Sequence, residues 1–236
     1  MDNEFYVGTS GWMYTWNKGG SLDWYLANSG LSCVELNASY YRFPFRNMVA
    51  SWVRKTPERF RWAIKVNRYI THIFRFSERA LSTWRKFRDL FQPLDRSIDF
   101  YLFQLPPSSV PRNKTVENLE KFISEAELGE RFALEPRNKE WFDSKWSAWA
   151  ENLGITLVSV DAPEMPRDIF HMRGVIYLRM HGRTEWYSHR YTDNELEEVK
   201  RNILEVKPRR VFVFFNNDHA MLDNAKSMLK KLAPKE

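Results

Sequence analysis

Ile155-Thr156-Leu157-Val158-Ser159-Val160-Asp161, entered through Gly154, is the stretch on which the fold turns. A short, nearly unbroken run of apolar and β-branched residues fits a strand buried on both faces, as in parallel sheets. Gly154 ends the helix before it. The same kind of run recurs at Val175 to Met180 and at Arg210 to Phe215 downstream. Upstream it recurs at Phe5 to Thr9, Ser32 to Leu36, Arg61 to Val66, Phe100 to Leu105 and Phe132 to Glu135.

Amphipathic helices separate these strands. Leu22 to Asn28 is predicted helical, with Ser21 as its N-cap and Gly30 just past its end. A helix from about Asn47 to Lys55 stops before Pro57. Ser77 to Phe91 carries Leu81, Trp84, Phe87 and Phe91 on one stripe, and Val116 to Glu127 turns Leu119, Phe122 and Ile123 inward. Further helices are expected at Ser144 to Leu153, Asp193 to Val206 (capped by Thr192) and Asp218 to Leu232.

Eight strands joined by long crossovers imply parallel pairing. A closed barrel satisfies that pairing without leaving an edge strand. The competitor, an open doubly wound sheet, lacks its nucleotide loop, because Gly8-Thr9-Ser10-Gly11-Trp12 has the wrong glycine spacing. The length of 236 residues suits one (β/α)8 barrel, with parallel strands inside and helices outside. No linker, repeat or low-complexity stretch divides it, so a single domain over 1–236 is expected.

Composition narrows the setting. The lone Cys33 allows no intramolecular disulfide, which fits a reducing compartment. The start, Met1-Asp2-Asn3-Glu4, has no basic region before an apolar run, and charges interrupt every apolar stretch. A cytoplasmic protein away from membranes is expected. The net charge of +6 and the 10 tryptophans admit an anionic partner, DNA or RNA included, as well as an ordinary basic surface over an aromatic core.

Barrel enzymes build their sites where the strands end. Here those ends are polar in turn: Ser10 and Trp12, Glu35 and Asn37, Lys65 with His72, Gln104, Glu135 with Arg137, Asp161, Arg179 with His181, and Asn216. Charges in a barrel interior are costly unless paired, so one hydrogen-bonded network around a single pocket is expected.

These motifs, read in order, resemble the domain-of-unknown-function family seventy-two, the YecE-like proteins. The matching residues are Gly8-Thr9-Ser10-Gly11-Trp12 with Tyr14 and Trp16, Glu35-Leu36-Asn37 with Tyr40-Tyr41 and Pro44, and Trp52 with Thr56-Pro57. They continue through Lys65, Thr71-His72, Gln104-Leu105-Pro106-Pro107, Glu135 with Arg137, Asp161, Arg179 with His181-Gly182, Tyr187 with Tyr191, and Phe215-Asn216-Asn217-Asp218. The resemblance implies a barrel related to the xylose isomerase and endonuclease IV group, and it brings no activity with it. Met13 and Asn17-Lys18-Gly19-Gly20 depart from the usual first loop.

Three functions fit. The first is a hydrolase-type enzyme on a phosphate-bearing substrate, in the first instance nucleic acid. Glu35 or Glu135 would orient the nucleophile or act as base, His181 would donate a proton, and Lys65 with Arg179 would stabilise developing charge. Ser10, Trp12, Asn37, Tyr40, Tyr41, His72, Gln104, Arg137, Asp161, Tyr187 and Asn216 would bind substrate, and Trp186 could add a stacking ring. The second is a metal-free enzyme on a sugar or sugar phosphate using Glu35 and Glu135. The third is a non-catalytic nucleic-acid or anion-binding protein. No cofactor is required. A divalent metal at Glu35, Glu135, Asp161 and His181 would compete with Lys65 and Arg179 for the carboxylates, and the five histidines show no ligand spacing. Asn216-Asn217-Asp218 is expected to cap the last helix. Arg85, Lys86 and Arg88 are expected on a solvated helix face, and Arg209-Arg210 on the surface.

Overall fold

The computed structural model describes residues 3–233, so Met1 and Asp2 of the amino-terminal reading lie outside the described residues. The strands are β1 (Glu4–Thr9), β2 (Cys33–Leu36), β3 (Arg61–Lys65), β4 (Ile98–Gln104), β5 (Phe132–Glu135), β6 (Thr156–Asp161), β7 (Val175–Met180) and β8 (Arg210–Phe215). They hydrogen-bond in sequence order as a closed parallel barrel, β8 returning to β1. The helices are α1 (Leu22–Asn28), α2 (Ala38–Tyr41), α3 (Arg46–Lys55), α4 (Glu78–Phe91), α5 (Asn113–Ala126), α6 (Ser144–Leu153), α7 (Asp193–Glu205) and α8 (Met221–Leu232). The short α2 and a π-helical turn, Tyr69–Ile73, follow β2 and β3 and have no counterpart in the sequence reading.

The chain falls into two compact units, Met1–Glu35 with Val158–Glu236, and Leu36–Leu157. In the first, Tyr6 stacks on Phe212 at 4.7 Å between ring centres, and Tyr25 buries its ring while its hydroxyl donates to the Cys33 carbonyl. Gly8 pairs with Cys33 so closely that a β-carbon would stand 2.5 Å from that carbonyl oxygen. In the second, Phe103 stacks on Phe132 at 3.9 Å and Trp84 meets Tyr101 edge-on. Half of the ten tryptophans serve packing: Trp62, Trp84 and Trp141 are fully buried, and Trp12 and Trp52 nearly so.

Capping follows local chemistry at three helices, with Asp143 accepting from the Lys145 amide at the start of α6. Ser21 accepts from the Trp24 amide, and Thr192 with Glu195 forms a reciprocal capping box on α7. The expected cap by Asn216-Asn217-Asp218 is not made. A short 3₁₀ turn, Asp218–Ala220, precedes α8, and neither start carries a side-chain cap bond. The buried Asn217 donates through Nδ2 to the His189 carbonyl at 2.7 Å and to Asn224 Oδ1 at 2.8 Å, and its Oδ1 accepts no hydrogen bond from the described residues.

Candidate functional site

Strand alternation sets one cluster in the first unit. Tyr177 and Arg179 lie two apart on β7, on one face of the pleat, with His181 two residues further. Glu35, near the end of β2, receives four hydrogen bonds. Its Oε1 accepts from Ser10 Oγ at 2.7 Å and Arg179 Nη2 at 2.6 Å, and its Oε2 from Tyr177 Oη at 2.6 Å and Arg179 Nε at 2.9 Å. The paired fork of Arg179 neutralises the carboxylate where no water reaches either group.

His181 is braced between neighbours. Arg179 Nη1 lies 3.4 Å from its Nε2. Its Nδ1 stands 3.2 Å from Asn216 Nδ2, so each ring nitrogen faces an N–H group. Trp186 and Tyr187 lie against the imidazole at 5.4 and 5.6 Å, and the Tyr187 amide donates to the His181 carbonyl. Gly182 holds φ at +117°, and a β-carbon there would stand 2.4 Å from the Glu185 carbonyl oxygen.

Asp161, at the end of β6, is bound on three sides. Arg183 approaches Oδ2 at 2.9 Å, Tyr191 donates to Oδ1 at 3.1 Å, and Arg167 stands 3.9 Å off. Burial raises its carboxyl above the usual range even so. Arg183 also holds Glu198 at 3.0 Å, which makes Asp161 part of a structural tie between β6 and α7.

The second unit carries the cationic ends. Lys65 Nζ lies 4.4 Å over the Tyr40 ring, and Tyr40 meets His72 edge-on at 5.3 Å. Ser39 Oγ donates to the Lys65 carbonyl at 2.7 Å, and Asn67 Nδ2 donates to the Ser39 carbonyl at 2.9 Å, which ties α2 to β3. Thr71 Oγ1 stands 2.7 Å from His72 Nδ1. Burial, then the charges of Lys65, Arg137, Arg68 and Arg75, pushes His72 down to about 4. Arg137 Nε lies 2.9 Å from Glu135 Oε1, and its Nη2 donates to Gln104 Oε1 at 3.2 Å. Beside this cluster, a cavity of about 350 Å³ is lined by Arg75, Ser77, Ser108, Ser109, Lys114 and Thr115.

The structure thus groups Ser10, Glu35, Arg179, His181, Tyr187 and Asn216 in one unit, and Tyr40, Tyr41, Lys65, His72, Gln104, Glu135 and Arg137 in the other. Asn37 stands before α2, where its carbonyl accepts from the Tyr40 amide. Trp12 departs from its expected stacking role: it is buried, with its carbonyl held by Asn17 Nδ2 at 2.7 Å. The sequence reading missed Tyr177, Arg183 and Arg75 as site residues. Only Tyr177 had a legible signal, its two-residue spacing from Arg179. Among the described residues no three His, Cys, Asp or Glu side chains converge as metal ligands. None of the described helices is long and apolar enough to cross a membrane.

A closed parallel (β/α)8 barrel with ionic groups at its strand ends defines the class of protein. The chain belongs to the family described as "Protein of unknown function DUF72", which matches residues 6–236. It is 26% identical to the "UPF0759 protein YunF" of Bacillus subtilis (strain 168), over 96% of this chain and 94% of that protein. A DUF72 family protein of Thermotoga maritima MSB8 superposes with a TM-score of 0.83 at 29% identity, covering 98% of this chain and 99% of the other. One from Enterococcus faecalis V583 gives 0.86 at 23% identity over 98% and 99%. A methyltransferase from Methanosarcina mazei gives 0.52 at 12% identity over 95% and 93%, a likeness of fold alone.

Proposed function

We propose that the protein binds and hydrolyses a phosphate-bearing substrate, nucleic acid in the first instance, with the phosphate held by Lys65, Arg68, Arg75 and Arg137. The observation that carries this reading is the gathering of Lys65, Arg137, Arg68 and Arg75 around His72, a half-buried imidazole lowered first by burial and then by these four charges. Arg137 is already paired with Glu135, whereas Arg68 and Arg75 meet no carboxylate among the described residues, and an anion would offset their charge. Arginine forks suit phosphate oxygens, and Arg75 also lines a cavity with Ser77, Ser108, Ser109, Lys114 and Thr115 alongside Phe74 and Phe76. A bound phosphate would bring His72 back toward its ordinary range, where an imidazole exchanges protons near neutral pH. The sugar-enzyme reading draws no such support, because Glu35 is engaged by four donors.

The test is fluorescence anisotropy of short labelled DNA and RNA at low and moderate salt, followed by cleavage assays on whatever binds. Wild type is compared with Lys65→Ala and Arg68→Ala. Salt-sensitive binding weakened by both substitutions is expected. Binding indifferent to both, or none to any phosphate-bearing probe, would sink the reading.

A further inference from the structure

We propose that the substrate is a single nucleic-acid strand, its bases stacked on the exposed rings of Tyr41, Phe45 and Tyr69 and its phosphates met by Arg42, Arg46, Arg68 and Arg75. This rests on the phosphate reading above and names the substrate class.

Positive charge is concentrated in the stretch of chain that carries these rings. Residues 36–77 hold nine Lys or Arg against one acid, Glu58, a net of +8. The whole chain is only +6, so the remaining residues sum to −2. The basic bias of the protein therefore belongs to this one stretch, not to its surface at large. Arg61 is paired with Asp99 at 2.6 Å, whereas among the described residues Arg42, Arg46, Arg68 and Arg75 meet no carboxylate.

The same stretch exposes apolar rings that a solvated surface would not favour. Tyr41 is 69% exposed, Phe45 64% and Tyr69 46%, with Ile73 and Met48 also open to water. They belong to two segments that run side by side, α2 with the start of α3 and the π-helical turn after β3. The tie of Ser39 to Lys65 and Asn67, and the edge-on contact of Tyr40 with His72, hold these segments together. Arg42 lies over the Phe45 ring at 5.7 Å, so one cation and one ring of the stretch meet in space.

Aromatic faces interleaved with arginines fit unpaired bases joined by phosphates. A duplex keeps its base faces stacked inside, so it can use the arginines but not the rings. A free mononucleotide offers a single base to the three rings. The alternation thus favours a strand several nucleotides long, of either sugar type.

The experiment compares wild type, Tyr41→Ala, Phe45→Ala and Tyr69→Ala against a labelled 12-nucleotide strand, the matching duplex and inorganic phosphate. The His72 imidazole shift is followed by NMR as the report of phosphate. These side chains are exposed, so the variants keep the fold. Each substitution is expected to weaken the single strand about tenfold while leaving the duplex and the phosphate response unchanged. A His72 response to phosphate with single-strand affinity untouched by all three would overturn this inference and leave the phosphate reading standing. Tighter binding of the duplex than of the strand would do the same. Absence of both a His72 response and strand binding would remove both.

Discussion

Glu35 and Arg179 meet through two hydrogen bonds, 2.6 and 2.9 Å, with both side chains removed from water. Removing one member leaves an uncompensated charge where no solvent can screen it. Arg179→Ala and Glu35→Ala are each expected to lower stability by about 3–5 kcal/mol. Replacing both with apolar residues of similar volume should cost less than either alone. Urea unfolding of the three variants checks the order, and a double variant as unstable as the sum of the singles would refute it.

His72 should make stability depend on pH. Its folded value is about 4 against an ordinary 6.5, so between these values the unfolded chain holds a proton that the folded chain does not. Stability is therefore lost as pH falls from about 6.5 toward 4, and this contribution levels off below that. Solvent reaching the half-exposed ring moderates the amount. His72→Gln should flatten the curve in that window, measured by unfolding at successive pH values. Equal slopes in wild type and variant would show that His72 is not depressed.

Asp161 and Arg183 should show the opposite sign. Burial already raises the Asp161 carboxyl, and Arg183→Ala would raise it further. The variant should lose about 3–5 kcal/mol at pH 7, less at pH 5, where the folded chain takes up a proton the unfolded chain does not. A loss that does not shrink on acidification would mean that Asp161 stays charged without its partner.

Gly8→Ala tests the closest approach in the barrel. The added methyl would meet the Cys33 carbonyl oxygen at 2.5 Å and Sγ at 2.9 Å, so β1 and β2 must move apart. The expected cost is about 1–3 kcal/mol, read from thermal unfolding. An unchanged midpoint would show that the pair has slack.

Much of the fold was legible because strand and helix periods are local. β5, β7, β8, α1 and α6 stand at the bounds the pattern predicts. The misses have physical causes. α2 and the turn Tyr69–Ile73 are a single turn each, too short for a period to show, and they form where Ser39 and Asn67 bond to neighbouring backbone. Asn217 looked like a cap because its chemistry suits one, but its side chain is fixed by Nδ2 bonds to His189 and Asn224, and its Oδ1 meets no backbone N–H.

The sequence by itself determined the barrel, the family and the polar strand ends, since each follows from residue type and spacing along the chain. It also held the charge imbalance of residues 36–77, which is a matter of counting. Only the tertiary structure decided who partners whom. Glu35 and Arg179 are 144 positions apart, and nothing in either segment says that they meet rather than bind a substrate. Trp12 is buried and Tyr41 exposed for the same reason: burial depends on what the rest of the chain brings against a side chain. His72 is lowered by burial and by cations from two strand ends, Lys65, Arg68 and Arg75 after β3 and Arg137 after β5, which meet only once β3, β4 and β5 pair.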